Sequence, residues 1–185
     1  MLTKNGGVFL PVPGSSARAR SARLRSSWLP LGLHRFLNQI LFISPLFWFL
    51  ELLQNKVYLF TIGRYGWGYE PDAHGKLTTW YSFRSLLPWC TTVVVFSLLD
   101  EFWFERRRMP LPVRAVIAGL IGFGGEWTTG FISDHLMGHC LQIWPESSLV
   151  YISISALPFW FVDYVVFHWL TRELRMAHDH RLSRG

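Results

Sequence analysis

Five ionisable side chains fall inside long apolar stretches of this sequence: Glu51, Arg84, Glu126, Asp163 and His168. A charged group at the centre of a membrane helix costs roughly 2.5–3.5 kcal/mol on insertion scales, so each needs a partner or a purpose. At a rise of roughly 1.5 Å per helical residue, Glu126 comes out about 10 Å below one bilayer face, and Arg84 reaches about the same depth. Glu51 lies nearer that face, above an Arg84–Glu126 pair. Asp163 falls toward the opposite third, where interfacial Lys or Arg side chains can reach it. Two readings stand for this buried polar site of Glu126, Glu51, Arg84 and Asp163. Its carboxylates bind a cation, a proton or a polar substrate, or they form ion pairs that only fix helix register.

The direction of Glu126 follows from its neighbours. Ala115, Gly119, Gly122, Glu126 and Thr129 recur at alternating spacings of four and three, hence on one helical face. Small residues let a neighbouring backbone approach closely in lipid, so this face is expected to pack into a bundle and carry Glu126 inward.

Other constellations offer less. The string Asp134-His135-Leu136-Met137-Gly138-His139-Cys140 holds four potential ligands, and His135 and His139 would share a face of a continuing helix. Gly138 marks a helix end, however, and no His-Glu-x-x-His pattern is present. A metal-dependent membrane enzyme at His135 and His139 is therefore a minor alternative to the expectation of no enzyme, no metal and no cofactor. Ser82, Ser85, Ser153 and Ser155 have no histidine at matching depth to activate them. Cys90 sits in an apolar run as an inert thiol. With Cys140 the only other cysteine, no disulfide framework is possible. The run His178-Asp179-His180 reads as a solvated tail.

Composition names the solvent of the elements that hold these residues. Half of the 185 residues are hydrophobic and only 16% are charged, against about 25% charge in soluble domains. Ten Trp and fifteen Phe exceed what one small core can hide, since a domain of this size leaves roughly 30% of its surface exposed. Four apolar segments approach the roughly 20 residues that cross a bilayer: about 33–53, 79–99, 115–136 and 149–170. Together residues 31–172 make an all-α bundle of four transmembrane helices, with Pro88 and Pro158 expected as helix kinks. Residues 1–30 read as a disordered basic leader, rich in Arg and Ser and free of acids, which also fits an organelle transit peptide. Residues 173–185 form a short tail.

Fourteen of the eighteen Lys and Arg residues lie before Glu51, between the second and third segments, or after the fourth. That asymmetry puts both termini in the cytoplasm. It also explains the net charge of +6 through orientation and anionic lipid rather than nucleic acid. Trp28, Trp48, Trp67, Trp80, Trp103, Trp127, Trp144, Trp160 and Trp169 fall near span ends, the pattern of an interfacial belt.

A shift of seventy residues lays Tyr81, Ser85, Leu87 and Pro88 over Tyr151, Ser155, Leu157 and Pro158. With small gaps Glu51 falls near Glu126, and Trp67-Gly68-Tyr69-Glu70 near Trp144-Pro145-Glu146. Each copy holds two spans, so the copies would be parallel helix pairs related by an axis along the membrane normal.

The string Glu126-Trp127-Thr128-Thr129-Gly130-Phe131-Ile132, after a Gly-rich span and before a Trp-bearing connection, resembles the transmembrane protein 229 family. Bacterial relatives of that family carry an ABC-transporter type IV, or CmpB-like, label. The resemblance covers roughly residues 96–175 and includes Glu105-Arg106-Arg107-Arg108; Leu50-Glu51-Leu52 and Trp67-Gly68-Tyr69 echo it in the first half. Where family members carry Trp-Asp-Tyr, this chain has Trp67-Gly68-Tyr69 and Trp144-Pro145-Glu146. The resemblance implies a four-helix integral membrane protein and, through the label, transport. No Gly-x-x-x-x-Gly-Lys loop is present, so an ATPase would be a separate partner. The expected function is a small membrane subunit in transport, self-associating or docked on a larger membrane partner, with a polar site in the outer half of the bundle. The alternative is a non-catalytic scaffold or assembly factor. The membrane itself, inner, plasma or organellar, is not specified by the residues.

Overall fold

Predominantly aliphatic and aromatic runs fold into four long helices in the computed structural model of the chain, which describes residues 28–71, 77–138, 140–145 and 147–184. They are α1 (Trp28–Ile62), α2 (Leu86–Leu99), α3 (Leu111–Met137) and α4 (Leu157–Arg184). The leader up to residue 27 and His139 lie outside the described residues, as do the side chains of His178, Asp179 and His180. The chain falls into two units, Met1–Arg35 and Phe36–Gly185. The first contributes the opening turns of α1, and the second holds all the apolar spans.

Four stretches are long and apolar enough to cross a membrane: Phe36–Ile62, Phe83–Phe104, Leu111–Leu136 and Ile154–Ala177. The all-α, four-span expectation holds at this level, with one small addition. The connection after α1 carries an antiparallel ribbon, β1 (Tyr69–Pro71) on β2 (Leu77–Thr79). The first span runs past its expected end at Leu53 to Ile62, because Gln54 and Asn55 bury themselves in the bundle instead of opening a loop. The second and fourth spans begin later than expected. Ser82 and Ser153 cap short 3-10 turns, accepting from the backbone N–H of Arg84 and Ser155, and the turns feed α2 and α4.

The expected kinks at Pro88 and Pro158 are corrected by the same local structure. Both prolines stand in the first turn of their helices, where a missing N–H breaks no ladder bond and the fixed φ favours the start. Pro112 starts α3 in the same way. Gly138, at φ 71°, ends α3 in the left-handed conformation that glycine adopts without strain. α2 continues through a π-helical turn, Asp100–Phe104, into the basic connection.

The small-residue face of α3 packs on α4. A Cβ on Gly119 would come within 2.2 Å of the Phe161 ring, one on Gly122 within 2.2 Å of Trp160, and one on Gly130 within 2.7 Å of Tyr151. Ala115 is buried along the same face. α2 meets α4 through ring pairs at matching heights, Trp89 with Trp160 at 5.6 Å and Phe96 with Phe167 at 5.5 Å. Leu41, Phe42, Phe49, Phe60, Leu120 and Trp169 face outward, as side chains solvated by lipid can do at no cost.

Gly122→Ala is the sharp test of this packing. The added methyl drives Trp160 out of its place, and overpacking of this kind costs about 1–3 kcal/mol. A clear drop in melting temperature in mild detergent is expected; an unchanged value would show that α3 and α4 do not meet there.

Candidate functional site

A carboxylate inside a bundle needs hydrogen-bond donors, and the sequence around Glu51, which is buried, and Glu126, which is half-buried, supplies them as indoles. Glu51, 4% exposed, projects from α1. Its Oε1 accepts from Trp67 Nε1 at 3.1 Å and from the Tyr69 hydroxyl, and its Oε2 accepts from Trp89 Nε1 at 2.8 Å. Glu126 projects from α3, with Oε1 accepting from Trp144 Nε1 at 3.2 Å and Oε2 from Trp160 Nε1 at 2.9 Å. In each case one indole comes from the connection that follows the glutamate and the other from the first turn of the next helix. The two sets touch one another. Trp67 and Trp144 lie 4.9 Å apart, Trp89 and Trp160 5.6 Å, and Gly68 and Ile143 exchange both backbone hydrogen bonds.

The connections are fixed from below. Asn55, fully buried, donates to the Trp67 and Trp80 carbonyls and accepts from Gly66 N–H, all at 2.9–3.0 Å. Ser133 accepts from Leu141 N–H at 3.2 Å, and Tyr151 donates to Asp134 at 2.9 Å. Tyr69 lies in the ribbon, where burial and the adjoining Glu51 carboxylate hold its phenol well above the ordinary value, so it donates as a neutral O–H. Burial, reinforced by Asp134, also raises the Cys140 thiol, which suits an unreactive cysteine.

Asp163 is partnered differently. It is 1% exposed on α4, and its Oδ1 accepts from Gln54 Nε2 of α1 at 2.6 Å. Its Oδ2 accepts no protein donor among the described residues. Asp163, Glu51 and Glu126 all line one cavity of about 330 Å³, walled by Trp67, Trp89, Phe96, Trp144, Phe159 and Trp160 and by the backbone of Gly122 and Gly125. Thr129, expected on the packing face, is exposed instead, with its hydroxyl bonded back to Gly125 O at the edge of the same cavity. None of the described residues in its lining is Lys, Arg or His. A second hollow of about 360 Å³ shares Trp144 with the first and opens among Tyr58, Arg64, Trp80, Ser147 and Ser155.

The structure thus brings Glu51, Glu126 and Asp163 together and leaves Arg84 apart. Arg84 stands exposed in the turn before α2, and no ion pair joins it to Glu126 among the described residues. The physical reason is the late start of α2, which keeps Arg84 at the helix end rather than a third of the way into the span. Asp163 meets Gln54 rather than an interfacial cation. The belt reading of the tryptophans fails for Trp67, Trp144 and Trp160, which turn inward together with Trp89 because each indole N–H finds a carboxylate there. Trp169 does lie exposed at its span end.

Of the candidate metal ligands, His139 lies outside the described residues. His135 is exposed and packs its ring on Phe131 at 4.1 Å, and among the described residues no group of three His, Cys, Asp or Glu is placed to hold a metal ion.

Sequence reasoning missed three contributors. Gln54 and Asn55 follow Glu51 at helical spacings of three and four, the signal that α1 continues. Asp100, 1% exposed, accepts from the Tyr164 hydroxyl and lies 3.4 Å from His168 Nδ1 and 3.8 Å from Arg114. Tyr164 and His168 sit four apart on one face of α4, which was the available sign of a buried acid opposite them. No family model, curated protein or solved structure matches the chain.

Proposed function

We propose that this chain is a small multi-pass membrane component of transport that holds a polar solute in the cavity between its four spans, and that it is not itself an enzyme. One observation carries the reading: Asp163 is buried, has one carboxyl oxygen that accepts no protein donor among the described residues, and lines a cavity that a solute can fill. A group placed solely for packing would have both oxygens bonded, because an unsatisfied buried acceptor costs about 1–3 kcal/mol. The sharing of Trp144 by the two hollows favours a path from the ribbon end of the bundle.

The finer architecture belongs to the same proposal. The two Glu-Trp-Trp sets, the matched ring pairs of α2 and α4, and the reciprocal Gly68–Ile143 bonds support two parallel helix pairs related by an axis along the membrane normal. Loop charge supports termini and an Arg106–Arg108 connection on the cytoplasmic face. The resemblance of the Glu126–Ile132 string to the transmembrane protein 229 family agrees with this arrangement. Self-association, or docking on a larger membrane partner with or without an ATPase, fits a chain this small.

The scaffold reading has one observation of its own: every oxygen of Glu51 and Glu126 is already bonded to protein. Thiol labelling separates the two. With Cys90 and Cys140 replaced by Ser, a cationic membrane-impermeant reagent is expected to modify Thr129→Cys at the edge of the cavity and Ser148→Cys in the ribbon-end connection of intact cells. Arg107→Cys should react only after permeabilisation. Failure of Thr129→Cys while Ser148→Cys reacts would leave the scaffold; labelling of Arg107→Cys in intact cells would reverse the orientation.

A further inference from the structure

We infer that the solute is a small organic cation bearing an N–H, a protonated alkylamine, held by Asp163 Oδ2 and by the faces of the surrounding rings. This deepens the transport reading above and rests on it. The first ground is charge. Glu51, Glu126 and Asp163 line the cavity, and none of the described lining residues is basic, so an anion would meet three carboxylates with no compensating cation.

The second ground is the distribution of hydrogen bonds. The two glutamates are committed to indole and phenol donors, which leaves Asp163 Oδ2 as the carboxylate oxygen open to a ligand. An acceptor calls for a donor, and a charged N–H donor makes the strongest bond to a carboxylate. That favours a protonated amine over a quaternary ammonium, which has no N–H to give.

The third ground is the wall. Trp89 and Trp160 lie at 34° to one another, and Phe96 stands edge-on to Trp160 at 85°, so ring faces and edges enclose a hydrocarbon body while their π faces attract its positive head. A cavity of about 330 Å³ is at the lower end of small-molecule sites. A bare metal ion is served poorly by it. Hard cations take six or more oxygens at roughly 2.0–2.6 Å, and among the described residues no three such groups converge.

The test uses the full chain in mild detergent with defined probes: n-butylammonium, tetramethylammonium, 1-butanol, butyrate, Na⁺ and Ca²⁺. Binding is read by tryptophan fluorescence and by the shift in melting temperature. Saturable binding of n-butylammonium is expected, with tetramethylammonium weaker and 1-butanol and butyrate silent. Asp163→Asn should weaken n-butylammonium by about tenfold or more, whereas Trp169→Phe, on the outward surface, should leave it unchanged. Saturable binding of butyrate, 1-butanol or a metal ion in place of the amine would overturn the alkylamine assignment and keep a solute site. Silence toward every probe would overturn the proposal, while the labelling of Thr129→Cys judges the transport reading independently.

Discussion

Glu51→Leu is expected to lose several kcal/mol of stability and most of its monodisperse yield in mild detergent. The leucine fills much the same space but accepts nothing, so the Trp67 and Trp89 indoles and the Tyr69 hydroxyl become three buried donors without an acceptor. At about 1–3 kcal/mol for each orphaned buried donor, the sum outweighs the gain from removing one desolvated charge. Glu51→Gln should fall between parent and leucine. Its amide oxygen still serves Trp67 and Tyr69, but its NH₂ faces the Trp89 N–H, donor against donor. If Glu51→Leu melts with the parent, the indole bonds do not hold the first connection to α1 and α2.

The same arithmetic gives the opposite sign at Asp163. Here one bond is made, from Gln54, and the second oxygen accepts no donor among the described residues in a side chain that lines the cavity. Asn keeps the first bond by turning its carbonyl to Gln54, and its NH₂ enters space where no protein donor stands. What it removes is a buried ionisable group. Neutral replacement of buried ionic groups commonly stabilises by about 1–4 kcal/mol, so Asp163→Asn should melt above the parent. Two carboxylates of the same cavity therefore differ in kind. On the proposed reading Glu51 is bonded as a structural part, and Asp163 is expected to be retained against its own folding cost.

How much of this was legible in the sequence depends on the kind of signal. The four spans were readable because hydropathy over some twenty residues is a bulk property that single polar residues barely dilute. The small-residue face of α3 was readable for a related reason: Gly119 and Gly122 recur at helical spacing, and their consequence, close approach by Phe161 and Trp160, is local. Glu51, Glu126 and Asp163 were identifiable as costly, and the chain does gather them.

Their partners were not readable. Pairing Glu126 with Arg84 assumed that opposite charges at equal depth meet, yet depth depends on where a helix begins, and Ser82 with Pro88 starts α2 after Arg84. The indoles escaped notice because a tryptophan near a span end satisfies the belt pattern equally well whether its N–H points to lipid headgroups or inward. Only tertiary structure decides that direction. The approximate repeat held the hint: Glu51 with Trp67, and Glu126 with Trp144, stand at similar spacings in the two halves. Asp100 was lost to a boundary, one residue beyond the expected end of the second span, although Tyr164 and His168 wait for it on α4.

Whether Asp163 serves a ligand or the fold is decided by the melting temperature of Asp163→Asn beside the parent in mild detergent, with and without saturating n-butylammonium. A ligand-holding carboxylate gives a variant more stable than the parent when no amine is present, and a ligand-dependent rise that the parent shows and the variant lacks; this is the expected result. A variant that melts below the parent would mean instead that Asp163 is a clamp between α1 and α4, and the cavity would lose its claim to a solute.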